Sequence, residues 1–217
     1  MKKIIISFLA GFFLLCGVAR AQTASVQVVG DKTETKYLQG VLGLDVSGIG
    51  VDITDGLDNF VEDAYSAITL SAGMKFNNQI SLTGFYQFSS EEDKTTYAYL
   101  GYDNYLYEKT TGSFKAYGVD ASVYLPVSEK VDFVASAGVG YYDFSVDFKD
   151  SFSDGSYAWG TYEEDHIGLR FGIGAEVKLS EHIALTGNVR YVFLDYDDDT
   201  DYIENLAEFG LGVRFYF

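Results

Sequence analysis

From Leu38 onward the chain alternates apolar residues with small or polar ones, and eight stretches keep that period of two for at least nine residues. One face of each stretch is apolar: Leu38 to Val46, Ile68 to Phe76, Ile80 to Phe88, Tyr117 to Leu125, Val131 to Tyr141, Ile167 to Leu179, Ile183 to Phe193 and Phe209 to Phe217. A period of two is the signature of a strand with two unlike faces. The opposite faces hold glycines together with Ser81, Thr83, Gln87, Asp120, Ser122, Arg170, Glu176, Thr186, Asn188, Arg190, Glu208 and Arg214. Alternation alone fits a soluble sandwich with its apolar face inward as well as a barrel with its apolar face toward lipid.

Connection lengths separate these possibilities. Asn77 to Gln79, Pro126 to Lys130 and Ser180 to His182 are tight turns, whereas the intervening connections are long. Short turns alternating with long loops describe a transmembrane barrel with periplasmic turns and external loops. An even strand count places both chain ends on the periplasmic side, so odd strands run outward and even strands inward.

The first residues agree. Lys2 and Lys3 precede an apolar run from Ile4 to Val18, and Ala19-Arg20-Ala21 supplies small residues for signal-peptidase cleavage. The run is shorter than the ~20 residues of a spanning helix. Residues 1–21 are therefore predicted to be a secretory leader, 22–36 a short polar periplasmic tail, and 37–217 the barrel domain, with no peptidoglycan-binding module expected. Cys16 follows Leu15 rather than a small residue, which disfavours lipoprotein processing, and its removal leaves a mature chain without thiol chemistry.

Without Lys2, Lys3 and Arg20, the 15 basic residues become 12 against 32 acids, a net charge of −20. Such a chain repels nucleic acid. With 18 tyrosines, 17 phenylalanines, 23 glycines and one proline, it is not a disordered acidic chain either.

The chain ends on Gly212, Phe215 and Phe217, spaced as G-x-x-aromatic-x-aromatic, with Gly210 where a polar residue is usual. This ending resembles the signal by which outer-membrane barrels are recognised by their assembly machinery. With the leader and the eight segments, the chain after about Tyr37 resembles the small eight-stranded outer-membrane proteins of the OmpA, OmpX and opacity-protein type. The resemblance implies an all-β fold: an eight-stranded antiparallel up-and-down transmembrane β-barrel with short periplasmic turns and long extracellular loops. It also implies a monomer in outer-membrane lipid and lipopolysaccharide. Tyr86, Phe88, Tyr141, Tyr191 and Phe193 are then expected near the outer interface, and Phe76, Phe215 and Phe217 near the inner one.

An eight-stranded barrel is about wide enough inside for its own side chains. Counting from the periplasmic ends puts Asp45, Arg170, Arg190 and Glu208 in an upper layer, with Asp120, Glu176 and Arg214 lower and Arg214 turned toward Glu176. A buried arginine without a carboxylate is costly, so two ion-pair clusters are predicted to plug the lumen. The competing reading is a charged channel lining or an active site. Barrel enzymes such as the lipid A deacylase and palmitoyltransferase families need a histidine base near a serine or carboxylate. Here only His166, beside Glu163 to Asp165, and His182 are available, and neither begins an H-x-S pair. No enzyme activity and no cofactor are expected.

Most of the acid lies in the first, third and fourth long connections. Asp143, Asp147, Asp150, Asp154, Glu163, Glu164 and Asp165 are assigned to the third, and Asp195 to Glu204 is the fourth. Asp195, Asp197, Asp199 and Asp201 offer oxygens at alternate positions, but Thr200 and Leu206 stand where an EF-hand needs glycine and glutamate, so no dedicated metal site is assigned. The second connection, Thr95 to Phe114, reads instead as a protruding hairpin similar to the OmpX design. Its Tyr97, Tyr99, Tyr102, Tyr105 and Tyr107 serve either as contact anchors for an extracellular protein or cell-surface partner or as stiffeners. The predicted role is structural or adhesive, and the alternative is a narrow transporter of the OmpW type for small or hydrophobic solutes.

Overall fold

The computed structural model describes residues 38–53, 64–101, 104–152, 156–195 and 203–217, with backbone only at 53, 98–101 and 104–106. The predicted leader and tail, Tyr102, Asp197, Asp199 and Asp201 lie outside the described residues.

Nine strands are formed: β1 (Leu38–Ile53), β2 (Ala64–Phe76), β3 (Ile80–Ser89), β4 (Glu92–Gly101), β5 (Asn104–Pro126), β6 (Val131–Phe152), β7 (Tyr157–Lys178), β8 (Ile183–Leu194) and β9 (Ile203–Tyr216). All neighbours are antiparallel in the order β3-β2-β1-β9-β8-β7-β6-β5, and β3 pairs back onto β5 to close the ring. β4 follows β3 after Ser90 and Glu91 and pairs with β5 above it, so the two form one broken stave and the ring has eight.

The tight turns are set by local chemistry. Asn77 and Asn78 both take positive φ, 49° and 58°, and Gln79 N donates to Phe76 O at 3.0 Å. Asn77 and Asn78 thus form a tight turn with both residues in the positive-φ region, and Gln79 completes a three-residue connection before Ile80 pairs with Phe76. In the other two turns one serine hydroxyl accepts two backbone N–H groups: Ser128 from Lys130 and Val131, and Ser180 from His182 and Ile183.

The burial pattern is inverted relative to a water-soluble domain. Leu42, Leu44, Ile68, Leu70, Leu82, Val119, Ile173, Val189 and Leu211 are exposed around the outside, while Asp45, Asp120, Arg170, Glu176 and Glu208 are buried inside. Charged residues are almost never fully buried unless paired, and a wide exposed apolar band requires an apolar solvent. Aromatic contacts rim this band: Tyr86–Phe88, Tyr117–Tyr141 and Tyr191–Phe193, with centroids 6.1, 5.4 and 4.8 Å apart.

Beyond that rim the pattern reverses. Phe114, Tyr142, Phe144, Leu194 and Leu206 turn inward and pack with Ile49, Val51, Tyr65 and Phe85 into an apolar cluster. The outward positions there carry Lys115, Asp143 and Asp165 in register. The third connection, predicted to be a loop, is therefore largely strand: β6 continues to Phe152 and β7 begins at Tyr157. Its acids alternate with Phe144, Val146 and Phe148, so the period of two persists while its apolar side changes face. β4 to β7 thus project together as a sheet broader than the expected hairpin.

Candidate functional site

The lumen is filled in tiers. Under the apolar cluster lies Arg170, 1% exposed, with Nη2 3.3 Å from Glu208 Oε2 and Nε 3.5 Å from Asp120 Oδ1. Its guanidinium sits 4.0 Å from the Phe85 ring centroid, a cation–π contact in a water-poor setting. Glu208 Oε1 also takes Arg190 Nη1 at 2.8 Å and Gln87 Nε2 at 3.3 Å. One carboxylate therefore serves two guanidiniums and an amide.

A second pair joins Arg214 Nη2 to Asp45 Oδ2 at 2.8 Å, and Thr186 donates to Asp45 Oδ1 at 3.3 Å. The third tier centres on Glu176, which takes Lys75 Nζ at 3.2 Å and the Tyr216 hydroxyl at 2.5 Å. Lys75 lies 3.6 Å from the Tyr124 ring centroid and 4.8 Å from that of Tyr216. Nearby, Lys178 Nζ meets Asp132 Oδ2 at 2.8 Å. Between these groups is a polar chamber of about 60 Å³ bordered by Thr69, Ser71, Thr83, Ser122, Ser136 and Asn188. That is room for about four waters.

These contacts correct the sequence-based layering in three places. Asp120 belongs with Arg170, Asp45 belongs with Arg214, and Glu176 is held by Lys75 and Tyr216 rather than by Arg214. The reason is stagger. Closing a barrel tilts and shears its strands, so steps counted from each turn do not measure height in the lumen. Register does: Asp120 and Arg170 both pair across Gly138, and Asp45 pairs with Gly212, two residues from Arg214. A Cβ at Gly138 would lie 2.0 Å from Asp120 Oδ1, and one at Gly212 2.1 Å from Asp45 Oδ1. Both glycines leave the space that the carboxylates fill. Lys75, Asp132 and Tyr142 are also buried lumen residues that the sequence-based clusters did not include, and Gln87, placed on the inner face by its alternation, joins the Glu208 tier.

At the loop end, His166 is buried, with Nε2 2.6 Å from Glu164 Oε1 and Nδ1 3.5 Å from Asp195 Oδ1. Glu164 also accepts the Ile203 amide at 3.3 Å, and Asp195 accepts that of Ile167 at 2.7 Å. The histidine and glutamate thus tie the end of β8 to the start of β9. Among the described residues no group of three or more histidine, cysteine or carboxylate side chains is placed to hold a metal.

On the projecting sheet, Tyr97 and Tyr107 pair across strands with ring centroids 5.1 Å apart, and Tyr99 pairs in register with Tyr105. Lys109 Nζ meets Asp93 Oδ2 at 2.6 Å, and the lysine's hydrogen bond holds the Asp93 carboxyl below its usual range.

A closed antiparallel ring with an apolar outside, aromatic rims and charged inside has few homes in a cell, and comparison with known proteins settles which. Residues 9–217 match the family model of the outer membrane protein beta-barrel domain. The chain belongs to that family. It is an integral outer-membrane β-barrel. Solved members of this fold include Ail, the attachment invasion locus protein of Yersinia pestis, at 17% identity and TM-score 0.51, covering 82% of this chain and 98% of that one. Neisserial surface protein A is similar at 16% and 0.53, covering 82% and 97%. A major outer membrane protein from Thermus thermophilus is similar at 13% and 0.51, covering 82% and 99%. No curated protein matches the chain. At these identities the likeness carries the fold of the family and not a partner. Small outer-membrane barrels are typically not enzymes.

Proposed function

We propose that this barrel is a monomeric, non-conducting outer-membrane protein that works through its extracellular sheet and acidic loops, in envelope integrity or surface attachment. The observation that carries the reading is the filled lumen. An apolar cluster, the Arg170–Glu208–Arg190 tier, the Arg214–Asp45 pair and the Lys75–Glu176–Tyr216 tier follow one another along it, and the chamber among them is only about 60 Å³. The buried carboxylates and cations pair with one another across the lumen.

The narrow-transporter alternative requires an apolar tunnel or a lateral gap. Against it, every neighbouring pair in the ring is registered, and the apolar residues at the outer mouth are packed together. The His166 cluster joins strand ends, which gives it a structural use without catalysis.

Two measurements test this. Planar-bilayer recordings of the refolded barrel are expected to lack stable, large conductance; a persistent open level refutes the filled lumen. Cells displaying the barrel without residues 92–113 are expected to lose surface attachment while the protein keeps its heat-dependent gel mobility; unchanged attachment refutes the role of the sheet.

A further inference from the structure

The outward face of the projecting sheet is built unlike the acidic loops around it. Between Leu38 and Phe217, the four basic residues on the loop side of the apolar belt are Lys94, Lys109, Lys115 and Lys149, all within β4, β5 and β6. Lys109 and Lys149 stand directly opposite each other, and Trp159 is the next residue along the same row on β7. Like charges directly opposed across strands destabilise a sheet. Lys109 is answered by Asp93, whereas Lys149 makes no ion pair among the described residues. The carboxylate nearest this row on β6, that of Asp147, is engaged by the Thr161 hydroxyl at 2.6 Å. Trp159 is 76% exposed, and Tyr97 and Tyr157, one row further out, are 73% and 69% exposed. A shallow depression runs between Lys109, Lys149 and Trp159, with Thr111, Thr161 and the Thr161-bound carboxylate of Asp147 along its inner side.

Orientation identifies what meets this face. Lys109 and Trp159 lie on the same side of their strands as Tyr117 and Ile167, which border the lipid belt, so the face looks sideways over the membrane. Eight residues along a tilted strand raise it about 20 Å above that border. The sugars of the surface glycolipid occupy that layer. A pyranose ring offers a C–H face that suits an exposed aromatic, and an anionic group on it answers an unpaired ammonium by a charge-assisted hydrogen bond.

We propose that Lys109, Lys149 and Trp159 form a binding surface for an acidic saccharide of the membrane's own lipopolysaccharide core. The proposal rests on the surface-interaction reading above and names its partner. The loop acids repel the same molecule, which confines it to this face.

Trp159 is the chain's single tryptophan, so its emission reports the site directly. The barrel, refolded in phosphatidylcholine nanodiscs, is titrated with delipidated, phosphorylated core oligosaccharide. A saturable emission change is expected, with affinity at least ten-fold weaker in K149Q and in the K109Q/K149Q double variant, restored in K149R, and at least ten-fold weaker for the dephosphorylated sugar. No saturable change, equal binding by the double variant, or equal binding of the dephosphorylated sugar overturns the proposal. A response to sulfated glycosaminoglycan fragments but not to the core sugar overturns the assignment to the membrane's own glycolipid. Heat-dependent gel mobility of each variant keeps lost binding distinct from lost folding, and the conductance and attachment tests above fail or succeed independently of this one.

Discussion

Replacing Arg170 by methionine isolates what the upper tier contributes. The side chain is 1% exposed and joins Asp120, Glu208 and the Phe85 ring. Without it Glu208 keeps Arg190 at 2.8 Å and Gln87 at 3.3 Å, but Asp120 keeps no cation among the described residues. Removing one member of a buried pair costs about 3–5 kcal/mol, because the other charge stays buried. Loss of the cation–π contact adds up to about 2 kcal/mol, which the packing of methionine against Phe85 offsets in part. We expect R170M to destabilise the barrel by about 4 kcal/mol in urea unfolding from lipid vesicles, followed by gel mobility. The D120N change made in the R170M background should recover about 2 kcal/mol, since it removes the orphaned charge, whereas D120N alone should destabilise. That opposite sign is the diagnostic, because contacting residues couple by about 0.5–3 kcal/mol. If R170M costs less than about 1 kcal/mol, or if D120N is equally harmful in both backgrounds, the tier is not a coupled ion-pair unit and the argument from burial fails.

Four further outcomes follow from other parts of the barrel. G212A would drive a Cβ to 2.1 Å from Asp45 Oδ1 and 2.6 Å from Leu44 O, so it should lower unfolding stability by about 1–3 kcal/mol. F217A retains the backbone bonds to Gly40 at 2.8 and 3.1 Å and should instead slow membrane assembly with little change in the urea midpoint; the reverse result for either variant would show that the two roles have been misassigned. Lysine at Leu211, which is 61% exposed to lipid, should cost about 2–4 kcal/mol by the same unfolding measurement, and a neutral result would place that residue outside the apolar belt. Burial, and next the charge of Asp150, hold Glu108 above its ordinary 4.5, so its contribution is present below 4.5 and lost as pH rises through the raised value; Asp93, held below 3.8 by Lys109, contributes above 3.8 and is lost as pH falls through the lowered value. Amide-exchange protection of β4 and β5 should therefore peak in mild acid, and E108Q should abolish the decline toward neutral pH.

The fold was legible because the lipid-facing half of each stave must be apolar at every second residue, a constraint with no local exceptions from Ile167 to Leu179. The turns were legible for a similar reason: Asn77-Asn78 and the two serines each solve a local backbone problem. The projecting sheet was only half legible. The Tyr97–Tyr107 pairing lies in a region that reads as a hairpin, but the stretch holding Asp143, Asp147 and Glu163 reads as a long loop, whereas it continues β6 and β7 with charge on the outward face. Above the membrane that face no longer meets lipid, so the requirement lapses while the backbone continues.

The identities of the lumen residues were readable, and their partners were not. Arg170 and Glu208 announce themselves as charges on a buried face, but which carboxylate meets which cation depends on shear, and shear is a property of the closed ring. Lys75 shows this sharply. It sits one residue from the end of its strand, where a surface lysine would be unremarkable, yet it is 3% exposed between Tyr124 and Tyr216.

The last strand shows why closure and plugging are one event. Phe215 and Phe217 face outward, 46% and 73% exposed, as a lipid-facing terminus must. The residues interleaved with them complete the interior: Gly212 leaves the space for Asp45, Arg214 pairs with it, and Tyr216 donates to Glu176. Glu208, on the same strand, is the carboxylate shared by Arg170 and Arg190. Before β9 pairs with β1, Arg214 and Asp45 lie at opposite ends of the sheet, and Lys75 on β2 is far from Glu176 on β7, whereas Arg190 and Glu208 already face each other across β8 and β9. The unclosed sheet would therefore carry these charges only partly answered, whereas closing the ring brings them all together. The ion pairs are in this sense part of what makes the closed barrel the favoured state: the same eight-residue ending, Gly210 to Phe217, supplies the outward aromatics for the membrane and the inward groups for the lumen.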